Sequence, residues 1–359
     1  MRALGLFVAV RALVLVTFLA ASDLAGRDPH LILTAWDSQW YAGIAADGYG
    51  HTVHHLDGRL LSDFAFFPLL PLAERVVAAL TGLAYVDAGF VVSVLASLVA
   101  ADGIHRVGVL VRGERAGLIL VLLWAAVPVG AVEWLPYSES LFTALAAWAL
   151  WGVLTHRWWP AGLLAALAGA TRPIGAAVVL AVVTAALADL AREHRGPGER
   201  LLSIGLAPLG MLGYLGYVGA RRHHLDGYFA VTSGWHNQLD GGASFARWAG
   251  ARLVGPMPVL GVLLVLAVGI LLALTIACFR QRQPMVLLVY TTSMVALALA
   301  TSGYFGSKPR YLLPAFPLLL PVAGWLARRR TPVQVGAVLL ASVGAAAYGA
   351  VWLLGPGPP

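Results

Sequence analysis

The stretch from Leu33 to Gly50, LTAWDSQWYAGIAADGYG, gathers polar and aromatic side chains directly after the first apolar segment of the chain. Its members of interest are Trp36, Asp37, Gln39, Trp40, Tyr41, Asp47 and Tyr49. Trp and Tyr collect at membrane interfaces as an aromatic belt, and that interpretation accounts for the aromatic residues alone. A carboxylate beside hydrocarbon is costly and tends to mark a functional site. The stretch is therefore the first candidate for chemistry.

Composition places this stretch in a membrane protein. The 359 residues are 60% hydrophobic and 11% charged, with a mean hydropathy of +0.80. A soluble domain carries about 25% charged residues. Although the length alone favours two domains, apolar segments run almost end to end, so we expect one helical membrane body over residues 1–359. The net charge of +7 lies in short Arg-bearing loops, where membrane topology and lipid headgroups explain it without a nucleic-acid partner.

Two further observations limit the possibilities. Cys278 is the one cysteine, so the chain has no intrachain disulfide and no cysteine-based zinc site. Residues 3–21 resemble a signal peptide but lack a convincing cleavage site, which predicts an uncleaved first helix.

A bilayer core needs roughly 20 apolar residues per helix. The candidate segments are approximately 3–22, 66–83, 88–111, 115–132, 138–154, 158–171, 173–191, 201–219, 256–278, 284–302, 311–327 and 333–354. The loops expected in the cytoplasm are Arg112 with Arg115, His156 with Arg157, Arg192 to Arg200, Arg280 with Arg282, and Arg328 to Arg330.

If successive segments cross the membrane in alternating directions between those cytoplasmic loops, residues 66–83 must begin and end on the same side of the membrane and cannot span it. Glu74 and Arg75 at the centre of this segment also argue against a membrane span, because a charge at mid-membrane costs about 3 kcal/mol. We therefore predict an all-α polytopic protein with about 11 spans, within a range of 10–12, and an interfacial helix at 66–83. Residues 22–87 and 220–255 are predicted to form long extracytoplasmic loops. Arg221 and Arg222 lie on the disfavoured side in this topology.

The same topology places most unusual polar residues at the outer face. They are Asp37, Gln39, Asp47, His51, His54, His55, Asp63, Glu133, Tyr137, Glu139, Arg172, His236, Asn237, Gln238, Lys308 and Arg310. A cavity there would suit a substrate with a lipid tail and an anionic head. Alternatively, Glu133 and Glu139 are helix-end residues, and Arg172 is a snorkelling turn residue.

The histidines of the first loop can be explained without a functional role. His54 and His55 are consistent with a solvated loop, and the spacing of His51, His54 and His55 matches no zinc signature. The sequence also shows no nucleotide-binding loop and no Ser-His-Asp arrangement. An enzyme here would need an activated substrate delivered within the membrane.

Five stretches occur in order along the chain: WDSQWYAGIAADGY, FAFFPLLPL, EWLPYSESLF, GATRPIG and SKPRYLLPAFPLLLP. This ordered set resembles the GT-C glycosyltransferases and, within them, the bacterial relatives of the PIG-V mannosyltransferases. The resemblance implies a membrane enzyme that takes a sugar, typically mannose, from a polyprenyl-phosphate donor on the extracytoplasmic face and inverts the anomeric carbon. It leaves the acceptor open, whether glycolipid, glycan or protein.

The resemblance also assigns roles to residues. The family's catalytic acid lies in the first outer loop and carries over to Asp37. Many GT-C members have two neighbouring acids there, whereas Ser38 follows Asp37 here, so we expect one carboxylate base and no metal or other cofactor. A base within about 3 Å can accept the proton of an attacking hydroxyl. The departing phosphate needs positive charge, for which the candidates are Arg172, Lys308 and Arg310. The remaining candidate substrate contacts are Trp36, Gln39, Trp40, Tyr41, Glu139 and His236, and the aromatic ones among them either face the sugar or hold the loop.

Two other classes stay open. A flippase for lipid-linked sugars is also polytopic, but such proteins often have duplicated halves and charges near mid-membrane. A non-catalytic subunit of a glycosylation complex would not need Asp37. An enzyme releases polyprenyl phosphate, and a flippase does not.

Overall fold

The computed structural model describes residues 2–55, 57–192, 196–256, 258–355 and 357–358. Residues 193–195 of the predicted Arg192–Arg200 loop therefore lie outside the described part. Within it the α-helices are α1 Arg2–Leu24, α2 Pro29–Leu33, α3 Asp37–Asp47, α4 Leu69–Thr81, α5 Tyr85–Arg112, α6 Glu114–Ala125, α7 Ser138–Leu154, α8 Trp158–Gly169, α9 Ala176–Arg192, α10 Gly198–Leu206, α11 Leu209–Arg222, α12 Gly227–Gly234, α13 Ala243–Val254, α14 Pro258–Arg280, α15 Met285–Ala300, α16 Lys308–Tyr311, α17 Leu320–Leu326 and α18 Thr331–Leu353. Short 3-10 segments cover Asp63–Ala65, Pro128–Trp134, Pro173–Gly175, Phe305–Ser307 and Phe316–Leu319.

The expected all-α polytopic architecture is confirmed. In the described part of the chain, six helices are long and apolar enough to cross a membrane: Arg2–Leu24, Tyr85–Arg112, Pro173–Arg192, Gly198–Arg222, Pro258–Arg280 and Thr331–Leu353. Shorter apolar helices cover Ser138–Leu154, Trp158–Gly169, Met285–Ala300 and Phe316–Leu326. The number of 11 spans stays a prediction, because these shorter helices do not reach the length of a full crossing on their own.

One predicted span is not a continuous helix. The segment predicted at 115–132 consists of α6 and the 3-10 segment Pro128–Trp134, which meet at an angle of 84°. Pro128 has no backbone N–H and disfavours helical geometry at the residue before it. Val127 is accordingly extended, with φ −66° and ψ 143°. After the bend, residues 128–134 leave the axis of α6 and contact α1, α5, α7 and α18.

The core lies where α5 and α7 pack against α1, α6, α8 and α9. Small residues dominate the contact surface, among them Ala100, Ala101, Ala147 and Gly103. A Cβ on Gly103 would lie 3.0 Å from the Cβ of Ala147. Small side chains let membrane helices approach closely, where van der Waals packing replaces the hydrophobic effect as the source of association.

The predicted first loop, residues 22–87, contains α2, α3, a small hairpin and α4. The hairpin pairs β1 (Thr52–His54) with β2 (Leu60–Ser62) in antiparallel register, with Val53 opposite Leu61. The second predicted loop, residues 220–255, contains α12 and α13.

The helix α4 begins and ends inside the predicted interfacial segment 66–83 and, with 13 residues, is too short to span. Its two charges do not face water together, as an interfacial helix would predict. The side chain of Arg75 donates from Nε to the Ala45 carbonyl at 2.7 Å, at the C-terminal end of α3. Glu74 is 0% exposed, and its carboxylate lies against Gly89 of α5, where an added Cβ would be 2.6 Å from Glu74 Oε1. The two charged residues therefore attach α4 to α3 and α5.

Candidate active site

Asp37 is the first residue of α3, and the backbone before it is unusual. Trp36 has φ 61° and ψ −122°, a conformation that residues other than glycine rarely adopt. Backbone strain of this kind tends to occur at functional sites, where surrounding packing maintains it. Here the turn places the Asp37 side chain against residues from the far end of the chain. The Trp36 side chain itself is 46% exposed.

Two carboxylates and two guanidiniums form one connected cluster, which we call the ion cluster: Asp37, Glu139, Arg172 and Arg310. Arg310 Nη2 donates to Asp37 Oδ2 at 2.8 Å, and Arg310 Nε lies 3.0 Å from Glu139 Oε1. Arg172 Nη1 lies 2.7 Å from the same Glu139 oxygen. Glu139 is therefore held between two arginines at the first turn of α7.

Access to the ion cluster is uneven. The side chains of Glu139 and Arg310 are 2% and 7% exposed, whereas that of Asp37 is 27% exposed. Arg310 Nη1 is buried and has no hydrogen-bond partner among the described residues. Burial lowers the pKa of Arg310, but the neighbouring carboxylates of Asp37 and Glu139 raise it well above its ordinary value, so the guanidinium stays charged. The cluster thus offers an accessible carboxylate beside a charged guanidinium with a free donor.

Two tyrosines complete the surroundings of the arginines. Neither was given a catalytic or binding role from the sequence, although Tyr137 was among the polar residues predicted at the outer face. The guanidinium of Arg310 lies 5.1 Å from the ring centroid of Tyr137, and that of Arg172 lies 5.8 Å from the ring of Tyr311. Such cation–π contacts stabilise a cation most when water is excluded. The Tyr137 hydroxyl also donates to the Ala35 carbonyl at 3.2 Å, two residues before Asp37. Both tyrosines stand inside the quoted stretches EWLPYSESLF and SKPRYLLPAFPLLLP, which was the available signal.

The predicted aromatic contacts hold the loop. The Trp40 ring stacks on Phe66 with centroids 5.6 Å apart and meets Trp235 edge-on at 5.2 Å. Tyr41 is buried, and its hydroxyl donates to Ser138 Oγ at 2.9 Å. Burial raises the pKa of Tyr41, so its phenol stays a neutral donor. Of the two alternatives left open for these rings, their contacts favour positioning α3 over facing a sugar.

The remaining predicted substrate contacts lie around this core without joining the ion cluster. Gln39 donates from Nε2 to the Thr34 carbonyl at 2.6 Å, behind the strained turn. His236 has φ 55° and its carbonyl accepts from Ser302 Oγ at 2.7 Å, while its side chain is exposed.

Lys308, the third predicted phosphate ligand, has different partners from the two arginines. Its Nζ donates to the Ala298 and Thr301 carbonyls, the former at 2.6 Å, and lies 5.2 Å from the Phe245 ring and 5.4 Å from the Phe305 ring. Burial lowers the pKa of Lys308 to about 8. These contacts connect α16 to α13 and α15.

A second buried ion pair was not anticipated. Arg11 lies in the middle of α1, and its Nε is 3.4 Å from Glu133 Oε2, with side chains only 2% and 0% exposed. The signal was an arginine within the first apolar segment, because a charge there needs a partner. Glu133, predicted as an outer-face residue, thereby has a partner inside the protein.

The three histidines considered as a metal site lie at the hairpin: His51 directly precedes β1, and His54 and His55 lie within the hairpin. His54 ends β1, and His55 Nδ1 is 2.9 Å from an exposed Asp57 oxygen. Within the described ranges, no group of three His, Cys, Asp or Glu side chains could hold a metal ion. The absence of a metal requirement stays a prediction.

Solved structures provide the comparison for this architecture. ArnT from Cupriavidus metallidurans, in a crystal structure with undecaprenyl phosphate, matches 94% of the chain with a TM-score of 0.57 and 17% identity. The archaeal oligosaccharyltransferase AglB from Archaeoglobus fulgidus, in complex with an inhibitory peptide and a dolichol-phosphate, matches 97% with a TM-score of 0.50 and 14% identity. Both are GT-C glycosyltransferases. The chain has a GT-C-like fold.

The match extends over 62% of the ArnT chain and 56% of the AglB chain, so the chain spans less than two thirds of either. No protein-family model and no curated protein matched the sequence. At these identities the comparison establishes the GT-C-like fold of a multi-pass membrane protein, and the chemistry has to be argued from the ion cluster.

Proposed function

We propose that the protein is a membrane glycosyltransferase that moves a sugar from a polyprenyl-phosphate donor to an acceptor hydroxyl. The observation that supports this most is the ion cluster, in which an accessible carboxylate borders charged guanidiniums within a GT-C-like fold. A base for the acceptor and a cation for the leaving phosphate are the two groups that the reaction needs.

The geometry suggests how donor binding would prepare the base. The two arginines are neutralised by two carboxylates, so an incoming phosphate competes with Asp37 for Arg310. Arg310 Nη1 has no partner among the described residues, so it is available for a second hydrogen bond to the phosphate. Arginine binds phosphate through two parallel hydrogen bonds, and transfer of Nη2 from Asp37 to the phosphate would free the carboxylate beside the donor. Glu139, at the first turn of α7, would keep both arginines in place.

The transfer step then balances. The acceptor oxygen forms a bond to the anomeric carbon while its proton passes to Asp37. The bond between the anomeric carbon and the phosphate oxygen breaks, and the polyprenyl phosphate leaves with the electron pair, held by Arg172 and Arg310. Attack opposite to the leaving group inverts the anomeric carbon. No metal takes part in this proposal.

The finer assignments rest on the resemblance of the motifs to the PIG-V relatives. They are mannose as the sugar, the extracytoplasmic face as the side of reaction, and the hexosyltransferase class. Lys308 as a third cation for the phosphate stays a prediction from the sequence. Because its Nζ is held by two carbonyls and two rings, we propose a structural role for it instead.

Turnover tests the proposal. Membranes containing the protein are incubated with polyprenyl-phosphate-[³H]mannose, and in parallel with the glucose-linked donor. We expect labelled product and an equal amount of released polyprenyl phosphate with the mannose donor, and neither with an Asp37→Asn variant. If the donor moves between leaflets and no polyprenyl phosphate is released, the protein is a flippase and not a transferase. If only the glucose-linked donor is used, the assignment of mannose as the sugar is wrong, while the proposed transferase activity still holds.

A further inference from the structure

Three consecutive backbone carbonyls precede the strained residue Trp36, and a side chain donates a hydrogen bond to each of them. The donors and acceptors are Ser38 Oγ with Leu33 at 3.4 Å, Gln39 Nε2 with Thr34 at 2.6 Å, and the Tyr137 hydroxyl with Ala35 at 3.2 Å. The first two donors belong to α3, so their bonds fix the turn only to the helix that follows it. Of these three bonds, only that of Tyr137 connects the turn to a distant part of the chain.

Tyr137 is itself attached to α5. Its backbone carbonyl accepts from Ser93 Oγ at 3.3 Å. One helical turn earlier on α5, a Cβ on Gly89 would lie 2.6 Å from the Cβ of Pro136, so the residue before Tyr137 packs against the bare backbone of that glycine. The Tyr137 side chain is 1% exposed. Burial raises the pKa of Tyr137 well above its ordinary value, as does the charge of Asp37, so the phenol stays a neutral donor.

The ring of Tyr137 contacts the partner of the base. The Arg310 guanidinium lies 5.1 Å from the ring centroid, and Arg310 Nη2 donates to Asp37 Oδ2 at 2.8 Å. The hydroxyl and the ring belong to one rigid plane, so their two contacts cannot move independently. A single buried side chain therefore contacts both the turn that carries the proposed base and the guanidinium that is proposed to bind the donor phosphate.

We propose that Tyr137 is a positioning residue that fixes the distance between the base and the phosphate ligand. This inference rests on the proposed function, which assigns those two roles to Asp37 and Arg310. When the phosphate draws Arg310 away from Asp37, the hydroxyl bond of Tyr137 keeps the turn in place, so the freed carboxylate stays beside the donor. Without that bond the Trp36 backbone relaxes, because such a conformation persists only where surrounding contacts impose it. A displacement of about 1 Å at a reacting group can lower the rate about 10²-fold.

The two contacts of Tyr137 can be removed separately. Tyr137→Phe removes the hydroxyl and keeps the ring, whereas Tyr137→Leu removes both, with Tyr137→Met in its place if the leucine variant fails to fold. Membranes containing the full chain receive polyprenyl-phosphate-[³H]mannose at several concentrations, or the glucose-linked donor if only that one is used. Release of polyprenyl phosphate then gives kcat and the donor KM.

The two variants should differ in which constant changes. In Tyr137→Phe we expect kcat to fall about 10²-fold with an unchanged donor KM, since the base is displaced and the guanidinium is not. In Tyr137→Leu the donor KM should also rise, by about tenfold, because Arg310 loses a cation–π contact from which water is excluded.

Tyr290→Phe is the matched control for stability. The Tyr290 hydroxyl is also buried and donates to the Pro314 carbonyl at 2.9 Å, in the main core. Both phenylalanine variants therefore lose one buried hydroxyl–carbonyl bond, and we expect similar decreases in thermal unfolding temperature. Only Tyr137→Phe should lose kcat. Hydrogen–deuterium exchange of the backbone amides of residues 34–39 should also become faster in Tyr137→Phe and not in Tyr290→Phe.

Several results would overturn the positioning role. Tyr137→Phe with the kcat and the exchange rates of the unmodified protein would do so, as would an equal loss of kcat in Tyr290→Phe. A higher donor KM without a lower kcat in Tyr137→Phe would mean that the hydroxyl acts on the phosphate site and not on the base. The unmodified protein turns over the donor in each of these cases. Absence of turnover in the unmodified protein would instead refute the proposed function.

Discussion

Asp37 and Arg310 lie 273 residues apart in the chain, and their side chains meet at 2.8 Å in a pair that is almost closed to solvent on the arginine side. The contact joins the first turn of α3 to α16 and sets the base of the proposed reaction beside its phosphate ligand. We expect Asp37→Asn to lower sugar transfer by about 10²–10⁴, since a positioned base contributes that much. The initial rate of labelled product measures the loss.

Asp47→Asn is the matched control, because Asp47 is an exposed acid at the end of the same helix. Asp63 is unsuitable, since its Oδ2 accepts from the Gly50 and His51 backbone N–H groups and holds the loop. If Asp37→Asn keeps full activity and Glu139→Gln is inactive, the catalytic base is Glu139 and not Asp37.

The three candidate phosphate cations should separate by their contacts. Arg172→Ala and Arg310→Ala are each expected to raise the donor KM more than tenfold, a loss of about 1.4 kcal/mol or more in binding. Lys308→Met should leave the donor KM near that of the unmodified protein and lower the thermal unfolding temperature, since its ammonium stabilises the contact of α16 with Ala298 and Phe245. If Lys308→Met raises the donor KM and Lys308→Arg restores it, the lysine binds the phosphate as the sequence predicted.

The buried pair of Arg11 and Glu133 allows a test of structural against catalytic roles. Breaking such a pair on one side leaves an uncompensated buried charge and costs about 3–5 kcal/mol. We therefore expect Glu133→Leu to unfold readily in detergent and the double variant Arg11→Leu with Glu133→Leu to regain most of the stability. Transfer activity should return with it. A stable but inactive double variant would show that Glu133 acts in the reaction.

Glu74 should make stability depend on pH. Burial raises its pKa to about 9 from an ordinary value of 4.5, so the folded protein keeps this proton where the unfolded chain has lost it. Stability should then fall as the pH rises from about 5 to about 9, since the folded state binds more protons in that window. In Glu74→Gln, this part of the pH dependence should vanish. Thermal unfolding in detergent at several pH values measures it, and parallel curves for the two proteins would contradict the assignment.

The position of α4 is open to labelling. In a Cys278→Ala background, cysteines at Asp57 and Leu83 flank α4 and should both react with an impermeant maleimide on intact cells. Arg329→Cys, in a predicted cytoplasmic loop, should react only after permeabilisation. Reaction of Asp57→Cys alone would mean that α4 crosses the membrane and would change the number of spans.

The sequence by itself determined the class of the protein, the approximate limits of its apolar helices and the importance of the Asp37 stretch. These are local properties, because hydropathy over some twenty residues and an acid among aromatics can be seen without knowing what packs against them. Motif order also pointed to Arg172, Glu139 and Arg310. That they form one cluster with Asp37, through the contact of Arg310, could not be read from local sequence, since it depends on which helix ends meet.

Only the tertiary structure decided which buried charged side chains contact each other and which residues surround them. Five helices, α2 to α6, lie between Arg11 and Glu133 in the chain, and no residue near either of them in sequence predicts that the two side chains pair. The packing of Glu74 against Gly89 depends on the rotation of α4 about its axis, which the composition of α4 does not determine. The same holds for Lys308, whose neighbours in sequence suggested phosphate and whose neighbours in space are two carbonyls and two rings. Charge pairing inside a membrane protein is set by how the helices rotate and approach, and that arrangement is a property of the whole packed bundle.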